Sequence, residues 1–133
     1  MNRILYKGIR AKLAGDATVN GFVSGKYYRQ LAPYDASYPF VTIAHSAGGN
    51  TNTEPDDMVD MRFTIKAMST SLTVASQIAE AIYSALHNQT LTYDTPYKHL
   101  DCEHLVPFEY VENVDNDKVW HIGGVYRIRA DKT

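Results

Sequence analysis

Four side chains within six positions, His99, Asp101, Glu103 and His104, form the densest group of metal or acid/base donors in the chain. Alternation along a strand places His99, Asp101 and Glu103 on one face, close enough to share a cation, with His121 as a further donor. His104 then points the other way, and a polar outer strand face produces the same spacing with no ligand. A small metal-dependent hydrolase working from the His99/Asp101/Glu103 face is the enzymatic reading these residues allow. Other chemistry is poorly represented. Ser24-Gly25-Lys26-Tyr27 lacks the leading glycine and the hydroxyl of a phosphate-binding loop, and Gly48-Gly49-Asn50 has no lysine. No Gly-x-Ser-x-Gly elbow is present. Cys102, the single cysteine, has no histidine or cation at useful spacing on its own strand face, which argues against thiolate catalysis. It also excludes an internal disulfide and reads as a small buried apolar residue in a reducing compartment. His45 and His87 stand apart as partly exposed residues. We assign no catalytic residue, no metal and no cofactor, and read the chain as a non-enzyme whose function is to bind.

The elements that position these residues follow from hydrophobic periodicity. Leu5, Ile9 and Leu13, widened by Ile4, predict an amphipathic helix from Asn2 to Leu13, with Asn2 as N-cap and Gly15 as the stop. Val19 to Gly25 reads as a turn region with two apolar anchors, and Lys26 to Leu31 as a short strand ended by Ala32-Pro33. Pro39–Ser46 and Met58–Met68 both alternate and predict a hairpin. In its second strand Val59, Met61, Phe63, Ile65 and Ala67 share one face. Ala75, Ile78, Ala79, Ile82, Ala85 and Leu86 predict a helix over Leu72–His87, capped by Ser71 and followed by a left-handed Asn88. Two long strands close the chain. The first alternates from Leu100 to Tyr110, and Pro107 marks an edge or a bulge. The second places Trp120, Ile122, Tyr126 and Ile128 on one side, with Gly123-Gly124 marking a bulge or a close backbone approach. The predicted fold is a single α+β domain over residues 1–133, a mainly antiparallel sheet with two helices packed on one face.

The central hairpin carries a long connection. Ser46 to Asp57 places a dozen polar, acidic residues where two would close the turn. Connections of that length within a compact domain are either functional or disordered. Charge is also segregated. Residues 1–30 carry six basic side chains against Asp16, net +5, whereas residues 31–60 carry five acidic and no basic side chains, net −5. Such a split suits head-to-tail association with further copies or with charged neighbours, and equally suits two solvated faces. No sustained basic patch carries a duplex-DNA motif, and no aromatic-basic interleaving marks single-strand binding. Ten tyrosines are the one compositional excess. The group Tyr27, Tyr28 and Tyr34 is the better interface candidate, since tyrosine is enriched at protein contacts. The candidate interface set is therefore Gly48, Gly49, Asn50, Glu54, Asp56 and Asp57 from the connection. Tyr27, Tyr28, Arg29 and Tyr34 join it, with Arg3, Lys7 and Arg10 from the first helix. With 44% hydrophobic content and no apolar run beyond a few residues, we expect no membrane span and no secretory leader.

Leu13-Ala14-Gly15-Asp16 leads to Val23-Ser24-Gly25-Lys26-Tyr27-Tyr28, then Ala32-Pro33 and Tyr38-Pro39-Phe40-Val41-Thr42-Ile43. Arg62-Phe63-Thr64-Ile65-Lys66-Ala67, the alanine-rich helix Ala75 to Leu86 and a long closing hairpin follow. In this order the chain resembles the small tail-completion proteins of long-tailed bacteriophages, the tail-to-head joining and tail-terminator family. The resemblance covers most of the chain and rests on the order of elements. Lys26 stands where that family usually has arginine, and the acidic Thr53-to-Asp57 stretch departs from it. The resemblance implies a virion structural protein, assembled in the host cytoplasm, that forms a ring, typically hexameric, at the head-proximal end of the tail tube. Such a ring stops addition of tube protein and docks the head-completion (stopper) protein, with DNA passing through the lumen without specific binding. Another neck or minor tail component of the same fold stays open. On this reading Ser46–Asp57 is a surface that orders on assembly, and deleting Gly48 to Asp57 is expected to spare the fold.

Overall fold

The computed structural model describes residues 2–50 and 57–132. Three helices, α1 (Asn2–Ala14), α2 (Ala17–Val23) and α3 (Leu72–Leu86), accompany five strands. These are β1 (Tyr27–Arg29), β2 (Phe40–Asn50), β3 (Asp57–Ser69), β4 (Tyr97–Val114) and β5 (Asp117–Lys132). They form one sheet in the order β1-β2-β3-β5-β4, antiparallel throughout except for the parallel β1–β2 pair. The fold is α+β, as the periodicities require.

The core is the seam between the helices and one sheet face. Leu5, Ile9 and Leu13 of α1 and Ile78, Ile82 and Leu86 of α3 are all buried. They pack in one cluster with Met61, Phe63 and Ile65 of β3 and Tyr126 and Ile128 of β5. Ser71 caps α3 by accepting a bond from the Val74 amide at 3.3 Å, and Asn88 beyond its end is left-handed at φ 57°. Asp115 and Asn116 both have positive φ, 50° and 71°, so a two-residue turn closes the β4–β5 hairpin with the twist its strands need.

Three expectations need correction. The stretch read as a turn from Val19 to Gly25 is largely helix α2. The Asp16 carboxylate caps it by accepting from the Thr18 and Val19 amides, each at 3.0 Å, and Val19 and Val23, one turn apart, are buried. Two valines, a threonine, an asparagine and a glycine are weak helix formers, so tertiary burial decided the outcome. Second, the long connection is shorter than its composition implies. β2 continues past Ser46 to Asn50, its register shifting between His45 and Ala47, and Gly48, Gly49 and Asn50 pair with Met61, Asp60 and Val59. Deleting Gly48 to Asp57 would therefore remove a rung-bearing end of β2 and not a loop alone. Third, β4 does not keep one alternation, because its register shifts between His99 and Asp101 and again between His104 and Val106.

Candidate assembly interface

The first of those β4 shifts dismantles the candidate ligand set. His99 lies opposite Ala130, which is buried in the core, whereas Asp101 and Glu103 lie opposite Arg129 and Arg127. One extra residue at the bulge turns His99 to the helix-covered face and leaves both carboxylates on the open face. His99 Nδ1 meets the Tyr93 hydroxyl at 3.2 Å, and burial lowers its pKa. Asp101 is bound by the Arg129 guanidinium. Arg127 holds both oxygens of Asp60, at 2.9 and 2.6 Å, and approaches Glu103 at 3.8 Å. The carboxylates are thus consumed by a charge ladder across β3, β5 and β4. His104 faces Tyr126 edge-on, 5.1 Å between ring centroids, and its amide donates to His87 Nδ1 at 3.0 Å. His121 sits farther along the open face, paired with Glu112 at 2.7 Å and stacked on Tyr110. Among the described residues, no three His, Cys, Asp or Glu side chains converge as metal ligands. The Cys102 thiol is buried, and burial first, then Asp101 and Glu103, pushes it up to about 12, far from a usable thiolate.

The binding candidates scatter over several surfaces. Arg3, Lys7 and Arg10 are exposed on α1, turned away from its buried stripe. Lys7 is tied to Asp94 at 3.0 Å, and the Arg10 guanidinium lies 6.0 Å from the Tyr27 ring centre. Arg29 is exposed at the short edge strand, its guanidinium 5.6 Å from the Tyr6 ring centre. Tyr34 is fully exposed. Tyr28 packs edge-on against Phe40, which also stacks on Tyr38. Tyr27 is a correction. It is buried, its hydroxyl bonded to the Leu13 carbonyl at 3.1 Å, so it fixes the end of α1 to β1 and is closed to a partner. Gly48, Gly49 and Asn50 are strand residues, Asp57 begins β3, and Glu54 and Asp56 lie outside the described residues. Asp60, one of the acidic charges counted in 31–60, is committed to Arg127.

Two surfaces escaped the sequence reading. β4 is an edge strand, one of the two alternatives Pro107 marked, but the exposure of Leu100, Leu105, Val106, Tyr110, Val111 and Val114 along it was not anticipated. Beside it a groove of about 510 Å³ runs between α3 and the β4–β5 hairpin, lined by Ala79, Tyr83, Pro107 and Ile122 together with Glu80 and Glu109. The signal for the groove was Ala79. It belongs to the apolar stripe of α3 but is left half-buried, lining the groove together with Ile122 and Gly123 of β5.

A family model described as tail completion protein gp17 matches residues 7–122. Among solved structures, a chain from the virion of a native gene transfer agent particle superimposes with a TM-score of 0.76 at 16% identity. The match covers 98% of this chain and 96% of that one, so the two share a fold over their whole lengths. No curated protein matches the chain.

Proposed function

Because the chain belongs to the tail completion protein gp17 family, and so is a structural component of a phage-type tail, we propose that it forms a ring at the head-proximal end of the tail tube. The ring is hexameric, ends tube polymerisation and presents the surface on which the head-completion protein docks. It resides in the virion, and DNA passes through its lumen without specific binding. The observation that carries this reading is the family match over almost the whole chain, supported by the shared fold with a gene transfer agent virion chain. The geometry is compatible with it. The charged side chains of the open sheet face are largely paired with one another, while α1 carries its basic residues outward. A heterologous ring needs two different complementary surfaces on each subunit.

Removal of the gene tests the assignment. Loss of a terminator gives tubes of uncontrolled, excess length, and this is the expected result. Tails of normal length left unattached to heads would assign the chain to joining alone, as another neck component of the same fold. Normal, fully joined particles would overturn the proposal.

A further inference from the structure

The groove between α3 and β4 and the outer stripe of α1 are complementary in charge. The groove is lined by apolar residues such as Ala79, Tyr83 and Ile122 and by two acidic ones, Glu80 and Glu109. The outer stripe of α1 offers Arg3 and Arg10 beside the small, exposed Ala11 and Ala14. Among the described residues none of Arg3, Arg10, Glu80 or Glu109 makes an ion pair. Two unpaired cations and two unpaired anions thus sit on two different surfaces of one subunit. The stripe cannot reach the groove within its own chain, because Leu5, Ile9 and Leu13 anchor the opposite side of α1 in the core.

We infer that the groove between α3 and β4 receives the outer stripe of α1 from a second copy of this chain, an inference that rests on the ring reading above. Arg3 and Arg10, spaced two turns apart, meet Glu80 and Glu109, and the small Ala11 and Ala14 lie toward the apolar lining of Ala79, Tyr83 and Ile122. The two surfaces are not the same patch, so the contact is head-to-tail. It propagates from copy to copy until rotation closes it.

Two charge-reversed variants test it: Arg3→Glu/Arg10→Glu, and Glu80→Lys/Glu109→Lys. All four positions are exposed, and circular dichroism confirms that each variant folds. Self-association is measured by sedimentation velocity, alone and with purified tail tubes. Each variant by itself is expected to associate at least ~10-fold more weakly than wild type, and an equimolar mixture to recover association, because the reversed stripe of one now fits the reversed groove of the other. General structural damage would not be repaired by mixing. Wild-type association by either variant alone, or failure of the mixture to recover, overturns this contact and leaves the ring reading intact. A wild-type chain that stays monomeric even with tubes present overturns the ring reading, and this contact with it.

Discussion

Arg127 shows how single residues bind the open sheet face together. Its guanidinium grips both oxygens of Asp60 on the neighbouring strand, and this bond, ahead of charge attraction, holds the Asp60 carboxyl below its usual value of 3.8. Both side chains are partly exposed, so solvent screens the pair. Asp60→Ala is expected to cost about 1 kcal/mol in a denaturant titration, the range for a bidentate but solvent-accessible pair. The loss should nearly vanish when Arg127→Ala is already present. Full additivity of the two substitutions would show that the pair contributes nothing. Histidines set the response to acid. Burial lowers the pKa of His99, His104 and His121 from 6.5, although the Glu112 bond opposes this at His121. The native state then keeps these rings neutral where the unfolded chain takes up protons. Stability is full above about pH 6.5 and declines as pH falls from there toward the native values, and Asp60 adds a second decline beginning near its unfolded value of 3.8. His121→Phe removes one titrating group, so its melting temperature should fall less than that of wild type between about pH 7 and 5. Equal slopes would exclude His121 from the acid response.

At the scale of elements, glycines separate backbone that must approach closely from backbone that merely lacks a side chain. A Cβ on Gly123 would strike the Ile65 carbonyl and lie 2.6 Å from the Lys66 Cα on β3. Those are backbone atoms of the central strand and have no room to yield. Gly123→Ala is therefore expected to cost about 3 kcal/mol or more, read as a large drop in melting temperature. Gly21, inside α2, meets nothing within 4 Å, so Gly21→Ala should stabilise by about 0.5–1 kcal/mol through helix propensity alone. Reversal of that order would mean that the β3–β5 register differs from the one described. The same contrast explains what the sequence made legible. Leu5, Ile9 and Leu13, the α3 stripe and the alternation of β3 all reached the structure because each run is long and its period unbroken. The Gly123-Gly124 pair marked a close approach correctly, since only glycine is silent on packing yet costly in a strand. α2 was hidden because its seven residues form a helix only under burial by the core. The shared face given to His99, Asp101 and Glu103 was misread because the register shift between His99 and Asp101 falls where no glycine or proline marks it, yet it turns His99 away from the two carboxylates. The groove beside β4 left only the hint of Ala79, because it is made by three elements meeting and no single segment encodes it.

For the whole molecule, assembly must use surfaces that the fold leaves unpaired, and residues 51–56 connect two strands whose ends are already in register. Asn50 lies opposite Val59, and Asp57 continues β3 in pairing with Lys132 of β5. The described ends of the hairpin are thus paired up to either side of the connection. Its long extension beyond what the turn requires adds loop-closure entropy, which grows only slowly with length. Replacing residues 51–56 with Asn-Gly leaves a four-residue link between Asn50 and Val59, a length hairpins accept. The variant should melt within a few °C of wild type, because no described core contact is removed and shortening the loop slightly favours folding. Head joining, scored as the fraction of tails attached to heads in negative stain, should fall well below wild type, as follows from the proposal that this acidic segment serves docking. A stable variant that joins heads at the wild-type fraction would reduce residues 51–56 to a tether. The contacts of the proposed ring would then rest on the described surfaces, the α1 stripe and the α3–β4 groove before others.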